Sequence, residues 1–143
     1  MSTSGLLDGL EVGAVVAEAR FALTRDSLVR YAGASGDFNP IHYRDAAAAE
    51  VGLAGVLAHG MLTMGAAVQP VVDWLGPRGV VLDYGVRFTR PVVVPAAGAV
   101  EIAVTATVGT LDPDAGTARI DVAAIVDGKG VLGRAQVLVG SRA

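Results

Sequence analysis

The sequence predicts an α+β domain in which an antiparallel sheet folds around one buried helix. Three observations carry this. The stretch GMLTMGAAVQPVV, Gly60 to Val72, holds no charged residue and is apolar nearly all round, so it reads as a helix that other structure must wrap. From Val80 the apolar period changes to two, through VVLDYGVRF, AVEIAVTATV, ARIDVAAIV and GVLGRAQVLV. Between these runs, DPDAG and DGKG are hairpin-turn signals. One strand, then helices, then a run of antiparallel strands is the order of an α+β architecture.

The first strand is VVAEARFAL, Val15 to Leu23, where apolar and polar positions mix. Thr24 then caps a short helix through Leu28 and Tyr31, with Asp26 in its first turn and Gly33 and Gly36 to end it. GDFNPIH follows as an irregular loop. Asp45 is placed to cap a second short helix over AAAAE, with Gly52 as its stop. A brief loop leads to the uncharged helix, and the alternating strands complete the chain. There is no linker, internal repeat or low-complexity tail, so residues 1–143 read as one domain.

Composition narrows the function. Hydrophobic residues make up 52% of the chain, enough for a substantial core. A net charge of −3 gives no electrostatic footprint for nucleic acid or an anionic membrane. Cysteine is absent, which removes disulfides, thiolate metal sites and cysteine nucleophiles. With His42 and His59 as the only imidazoles, a multi-histidine metal cage is not expected. Val51 to Val72 is uncharged and long enough to span a bilayer, but His59, Thr63, Gln69, several glycines and Pro70 interrupt it. No aromatic belt or basic flank marks its edges. The N-terminus carries no signal-peptide pattern, so a soluble, cytoplasmic protein is expected.

The chemistry concentrates in two short stretches. Asp37 and His42 stand five positions apart, separated by Phe38-Asn39-Pro40-Ile41. Alone, Asp37 is ordinary turn chemistry and His42 an ordinary hydrogen-bonded imidazole. Together they form a pair in which an imidazole titrating near neutrality can be oriented by a carboxylate, or share a water with it. Asn39 could fix that water or the loop, while Pro40 stiffens the backbone. In the second stretch, AHGML, Gly60 opens the uncharged helix and leaves a backbone N–H free at the positive end of its dipole. A thioester or amide carbonyl placed there would be polarised. Close packing of helix on sheet is the plainer role for the same glycine, and both can hold. His59 lacks a carboxylate neighbour in sequence and is expected to hold the loop. Arg44, Arg87 and Arg90 remain; Arg87, on YGVRFTRPV, either faces a groove where it could meet phosphate or lies on a solvated strand face. No Gly-x-Ser-x-Gly, P-loop or dinucleotide fingerprint is present.

GDFNPIH followed by AHGML resembles the hydratase-2 motif of MaoC-like dehydratases, and YGVRFTRPV is similar to the strand that follows in that family. Within it, YAGASGDFNPIHY and LAHGMLTMG are most similar to the catalytic beta subunits of mycobacterial-type (3R)-hydroxyacyl-ACP dehydratases. The resemblance implies a hot-dog fold, a sheet wrapped around a long central helix. It implies Asp37 and His42 as catalytic dyad, Asn39 as a supporting residue and the Gly60 N–H as carbonyl donor. The implied reaction is reversible syn dehydration of a (3R)-3-hydroxyacyl thioester to the trans-2-enoyl thioester. An (R)-specific enoyl-CoA hydratase or a non-catalytic acyl-binding partner subunit are the alternatives. No metal or redox cofactor is implied, since CoA or the phosphopantetheine arm of acyl carrier protein arrives with the substrate. The implied assembly is a homodimer, or a heterodimer with a second hot-dog subunit.

Overall fold

The computed structural model describes residues 5–142. Its elements are β1 (Val15–Leu23), α1 (Arg25–Ser35), a 3-10 turn (Pro40–His42), α2 (Asp45–Glu50), α3 (Gly60–Leu75), β2 (Gly79–Phe88), β3 (Val100–Asp112), β4 (Thr117–Val126), β5 (Lys129–Gly130) and β6 (Leu132–Ser141). A second 3-10 turn, Gly76–Arg78, joins α3 to β2. The strands form one antiparallel sheet in the order β1-β3-β4-β6-β2, with β5 added beside β4.

Period-two patterning sets which face of the sheet is buried. On β3, Ile102, Val104, Ala106 and Val108 are buried, and on β4 so are Ala118, Ile120, Val122 and Ala124. These positions lie on one face of their strands, and they share a core with Ala67, Val71 and Leu75 of α3. Tyr84 of β2 ties sheet to helix by donating its hydroxyl to the Met64 carbonyl at 2.8 Å. Burial pushes that phenol up to about 12, so it remains a donor.

Helix α1 begins as the sequence predicts. The Thr24 hydroxyl accepts from Ser27 N–H, and Ser27 Oγ accepts from Thr24 N–H, closing a capping box. It ends at Gly36, in the left-handed region at φ 77, with Gly33 still inside the helix.

Two expectations are corrected. Asp45 does not cap α2. The N-cap is Arg44, without a side-chain bond, and Asp45 occupies the first helical position. Its carboxylate instead receives both terminal nitrogens of Arg25, at 2.9 and 3.3 Å, which holds Asp45 below the usual carboxylate range. The second correction concerns α3. It passes through Pro70 to Leu75 rather than stopping at Val72, and this chain wraps only part of it. Thr63, Ala67, Pro70, Val71 and Leu75 are buried, while Met61 and Val72 are 59% and 42% exposed. A helix apolar on all sides has here been given one covered face.

No described helix is long and apolar enough to cross a membrane. The uncharged stretch is divided: its first part is a turn and a short β-bridge from Leu57 to Val93, and only Gly60 onward is helical.

Ile120 tests the core directly, because it is fully buried at the middle of the central strand β4. Ile120→Ala is expected to lower stability by about 2–5 kcal/mol in chemical denaturation. A loss well under 1 kcal/mol would mean that the sheet does not close on α3 as described.

Candidate active site

The loop between α1 and the 3-10 turn is folded by its own side chains. Ser35 Oγ accepts from Asp37 N–H at 3.1 Å, Asp37 Oδ1 from Asn39 N–H at 3.1 Å, and Asn39 Oδ1 from Ile41 N–H at 3.2 Å. Three successive i to i+2 bonds coil the chain and bring residues five apart onto one side. Asn39 therefore acts on the loop, capping the turn that carries His42. Asp37 uses Oδ1 for the turn, and its other oxygen, Oδ2, lies 3.8 Å from His42 Nε2.

That separation is too long for a direct hydrogen bond. It is short enough for one oxygen atom to sit about 2.8 Å from both groups at once, the reach proton transfer needs. The other imidazole nitrogen is committed: His42 Nδ1 lies 2.7 Å from the Leu57 carbonyl. A carbonyl only accepts, so Nδ1 carries a proton, and in the neutral ring Nε2 presents its lone pair toward Asp37. His42 is buried while the Asp37 side chain is half exposed.

His59 holds the loop, as its sequence context suggests. Its Nε2–H donates to the Asp37 backbone carbonyl at 3.1 Å. Its ring stacks on His42 at 3.9 Å with 21° between planes, and Tyr31 of α1 meets it edge-on at 4.7 Å. Burial, first of all, keeps the His59 imidazole below its ordinary range, and the neighbouring His42 adds to this. Asp37, His42 and His59 each offer a ligand atom within 4.8 Å of the others. In a near-parallel stack with ring centroids 3.9 Å apart, however, the ring lone pairs run in separate planes and do not converge on an ion about 2.0–2.1 Å from each.

A cavity of about 180 Å³ adjoins the imidazole, lined by His42, Gly60, Thr63, Phe88 and Arg90 among others. A wider depression of about 410 Å³ on β1 and β3, over Glu18, Arg20 and Thr105, shares no residue with this site. Gly60 is the first residue of α3, and no described group accepts from its N–H, which leaves that donor to the cavity. The packing role is present too. A Cβ on Gly60 would lie 3.1 Å from the Phe88 ring, so the glycine also lets helix and sheet approach. The arrangement can polarise a carbonyl at the helix N-terminus while a proton is moved beside it.

Arg87 is not brought to this cavity. It pairs with Gly133 across β2 and β6, one position from Phe88 in a strand whose alternate residues face opposite ways. Phe88 lines the cavity, so Arg87 lies on the outer face, while Arg90 is the cation at the cavity. Arg44 stays near the loop, its guanidinium 5.4 Å from the Tyr43 ring centroid. Tyr31, Leu57, Thr63 and Phe88 were not anticipated as site residues. Of these only Phe88 comes from a separate strand, β2, and only Thr63, a polar residue on an apolar helix, carried a local signal.

A sheet curled on a central helix, with an acid and an imidazole beside that helix's N-terminus, defines a hot-dog protein equipped for proton transfer. Residues 11–124 match the MaoC like domain, and the chain belongs to that family. Over 81 residues it is 41% identical to 3-hydroxyacyl-thioester dehydratase X of Mycobacterium tuberculosis, covering 57% of this chain and 28% of that protein. A solved MaoC-like dehydratase superposes with a TM-score of 0.88 at 36% identity, over 96% of this chain and 42% of the other. The R-hydratase PhaJ1 from Pseudomonas aeruginosa gives 0.77 at 30% identity, over 92% and 82%. The chain thus spans less than half the length of the first two relatives.

The buried neutral His59 makes stability depend on pH. Unfolded, the imidazole titrates near 6.5; folded, it does so lower. Below pH 6.5 the unfolded chain therefore binds more protons, and stability falls as the solution is acidified. The thermal midpoint is expected to drop from pH 7 to 5, and to drop less in His59→Gln, whose amide can still donate to Asp37. Equal slopes would remove His59 as the source.

Proposed function

We propose that this chain catalyses the reversible syn dehydration of (3R)-3-hydroxyacyl thioesters to trans-2-enoyl thioesters. The observation that carries the reading is the pairing of a His42 lone pair with Asp37 at 3.8 Å, beside the free N–H of Gly60. With the thioester carbonyl on Gly60 N–H, negative charge developing at that oxygen is stabilised and the C2 proton becomes more acidic. The dyad takes that proton and returns it to the departing C3 hydroxyl, so water leaves and the dyad ends as it began. One oxygen contacting both Asp37 and His42 fits the hydroxyl, and a single dyad acting on one face fits syn geometry. In reverse the same groups activate water against the enoyl thioester. His42 carries the larger share of proton transfer, and the cycle requires no metal or redox cofactor.

The names of two relatives support the two directions of this reaction, one a 3-hydroxyacyl-thioester dehydratase and the other an R-hydratase. The dehydrating direction, in acyl-chain elongation, is our first reading. Hydration of enoyl-CoA is the second, favoured by the higher coverage of the R-hydratase.

The reading includes a second hot-dog subunit, identical or not. Among the described residues, strand β2 pairs only with β6, and its Leu82 and Phe88 are 54% and 55% exposed. An open strand with large apolar side chains, next to a half-covered α3, is a surface that a partner sheet can extend.

Following enoyl absorbance with crotonyl-CoA, and resolving the product's stereochemistry, tests the chemistry. Asp37→Asn and His42→Ala are each expected to reduce turnover by about 10²–10⁴-fold, with the wild type giving the (3R) product. Activity surviving both substitutions would sink the dyad. For the assembly, Leu82→Glu is expected to shift sedimentation toward monomer; an unaltered distribution would take β2 out of the interface.

A further inference from the structure

Thr63 is the one polar side chain that this chain buries on α3. It is 3% exposed, on a helix whose other buried residues are Ala67, Pro70, Val71 and Leu75. A buried hydroxyl normally finds a partner. For a threonine inside a helix, the nearest is the carbonyl four residues back. Here that carbonyl, of His59, already accepts from Leu62 N–H at 3.1 Å and from Thr63 N–H at 3.2 Å, so both its lone pairs are engaged. Among the described residues the Thr63 hydroxyl makes no hydrogen bond. Nor is it sealed in the core: among the described residues, the only fully enclosed side-chain atom without a partner is Nδ1 of His59. Its open side is the 180 Å³ cavity, which Thr63 lines together with His42 and Gly60.

The helix sets this hydroxyl beside a second unused donor. Residues three apart share one face of a helix, with side-chain origins about 5–6 Å apart, and helical side chains lean toward the N-terminus. Thr63 therefore leans toward Gly60, which lines the same cavity with its N–H unused and has no side chain to fill the space between them. Leu57, Ala58, Phe88 and Val92 put apolar wall around the pair, which strengthens any hydrogen bond made there. The free lone pair of His42 faces Asp37 instead. Two neighbouring donors in a small, mostly apolar cavity suit one compact acceptor with two lone pairs, a carbonyl oxygen.

We infer that the Thr63 hydroxyl is a second donor to the thioester carbonyl, acting with the Gly60 N–H. This rests on the dehydratase reading and adds to it a catalytic side chain on α3. The oxygen takes Gly60 N–H on one lone pair and Thr63 O–H on the other. Negative charge gathering there as C2 loses its proton is then divided between two donors. The hydroxyl keeps its proton throughout, and proton transfer stays with Asp37 and His42.

Thr63→Val keeps the shape of the side chain and removes the donor, while Thr63→Ser keeps the donor. With crotonyl-CoA, Thr63→Val is expected to lower kcat about tenfold to a hundredfold with KM little altered, and Thr63→Ser to stay within about threefold of the wild type. Polarisation is read directly from the infrared carbonyl stretch of bound butyryl-CoA, labelled with carbon-13 at C1, which has no double bond to hydrate. The stretch is expected at lower frequency on the wild type and Thr63→Ser than on Thr63→Val. If Thr63 only packs the helix, the valine variant loses activity or thermal stability while the stretch stays put, and the proposal is overturned. A serine variant as impaired as the valine one overturns it too. Should Thr63→Val not fold, Thr63→Ala is read in the same way. If the wild type turns over no crotonyl-CoA, it is the dehydratase reading that has failed, and the stretch still decides on the donor. A higher frequency on the variant upholds it; equal frequencies, or no binding of butyryl-CoA, overturn it.

Discussion

The hydrogen bond between His42 Nδ1 and the Leu57 carbonyl, 2.7 Å long, decides what the rest of the site can do. It commits one ring nitrogen as a donor and so leaves the other, Nε2, available to accept a proton. Its anchor is well supported. Leu57 N–H donates back to the Ile41 carbonyl, so residues 41–42 and 57 are joined twice. On either side, Ala58 N–H donates to Val92 and Val94 N–H to Val56, a short ladder that ties the segment to the chain leaving β2. The imidazole is thus referenced to the sheet. Rotation of the ring would break its bond to the part-buried Leu57 carbonyl, which contributes about 0.5–1.5 kcal/mol.

How far the sequence reveals this site depends on the range of the interactions. The loop is legible because local bonds build it: Ser35, Asp37 and Asn39 each accept from an N–H two residues on. The α1 cap is legible for the same reason, since Thr24 and Ser27 satisfy each other within one turn. Asp45 shows where local reasoning ends. It has the chemistry of a cap, but Arg25, twenty residues earlier in the chain, recruits its carboxylate once α1 and α2 lie together. Tyr31, Leu57 and Phe88 escape notice because nothing in their own segments marks them; they join the site only when the elements pack.

The arginines illustrate a subtler limit. Arg87 and Arg90 lie on one continuous stretch, and both are exposed. What separates them is strand parity: Phe88 faces the helix, which sends Arg87 to the other side. A bulge shifts the register between Gly85 and Arg87, so counting from the alternating apolar residues alone does not fix the face. The central helix raises a related problem. Its all-round apolarity was legible, but sequence does not say how much of the covering comes from the same chain.

The stacked imidazoles carry a final constraint. His42 and His59, with ring centroids 3.9 Å apart, repel strongly if both are charged, so the first proton taken up by the pair opposes the second. Burial decides which ring stays neutral. His59 is almost fully enclosed, and its Nδ1 has no described hydrogen-bond partner; a proton there would place charge in a dry pocket without compensation. Its Nε2–H is already committed to the Asp37 carbonyl. His42 has Nε2 open toward a half-exposed carboxylate that can balance a positive ring. In the reaction proposed above, this asymmetry makes His42 the proton carrier, while the ring behind it fixes the backbone of the acid with which His42 is paired. Stack, loop and helix terminus thus converge on one atom, His42 Nε2, which the proposed reaction uses to move the proton.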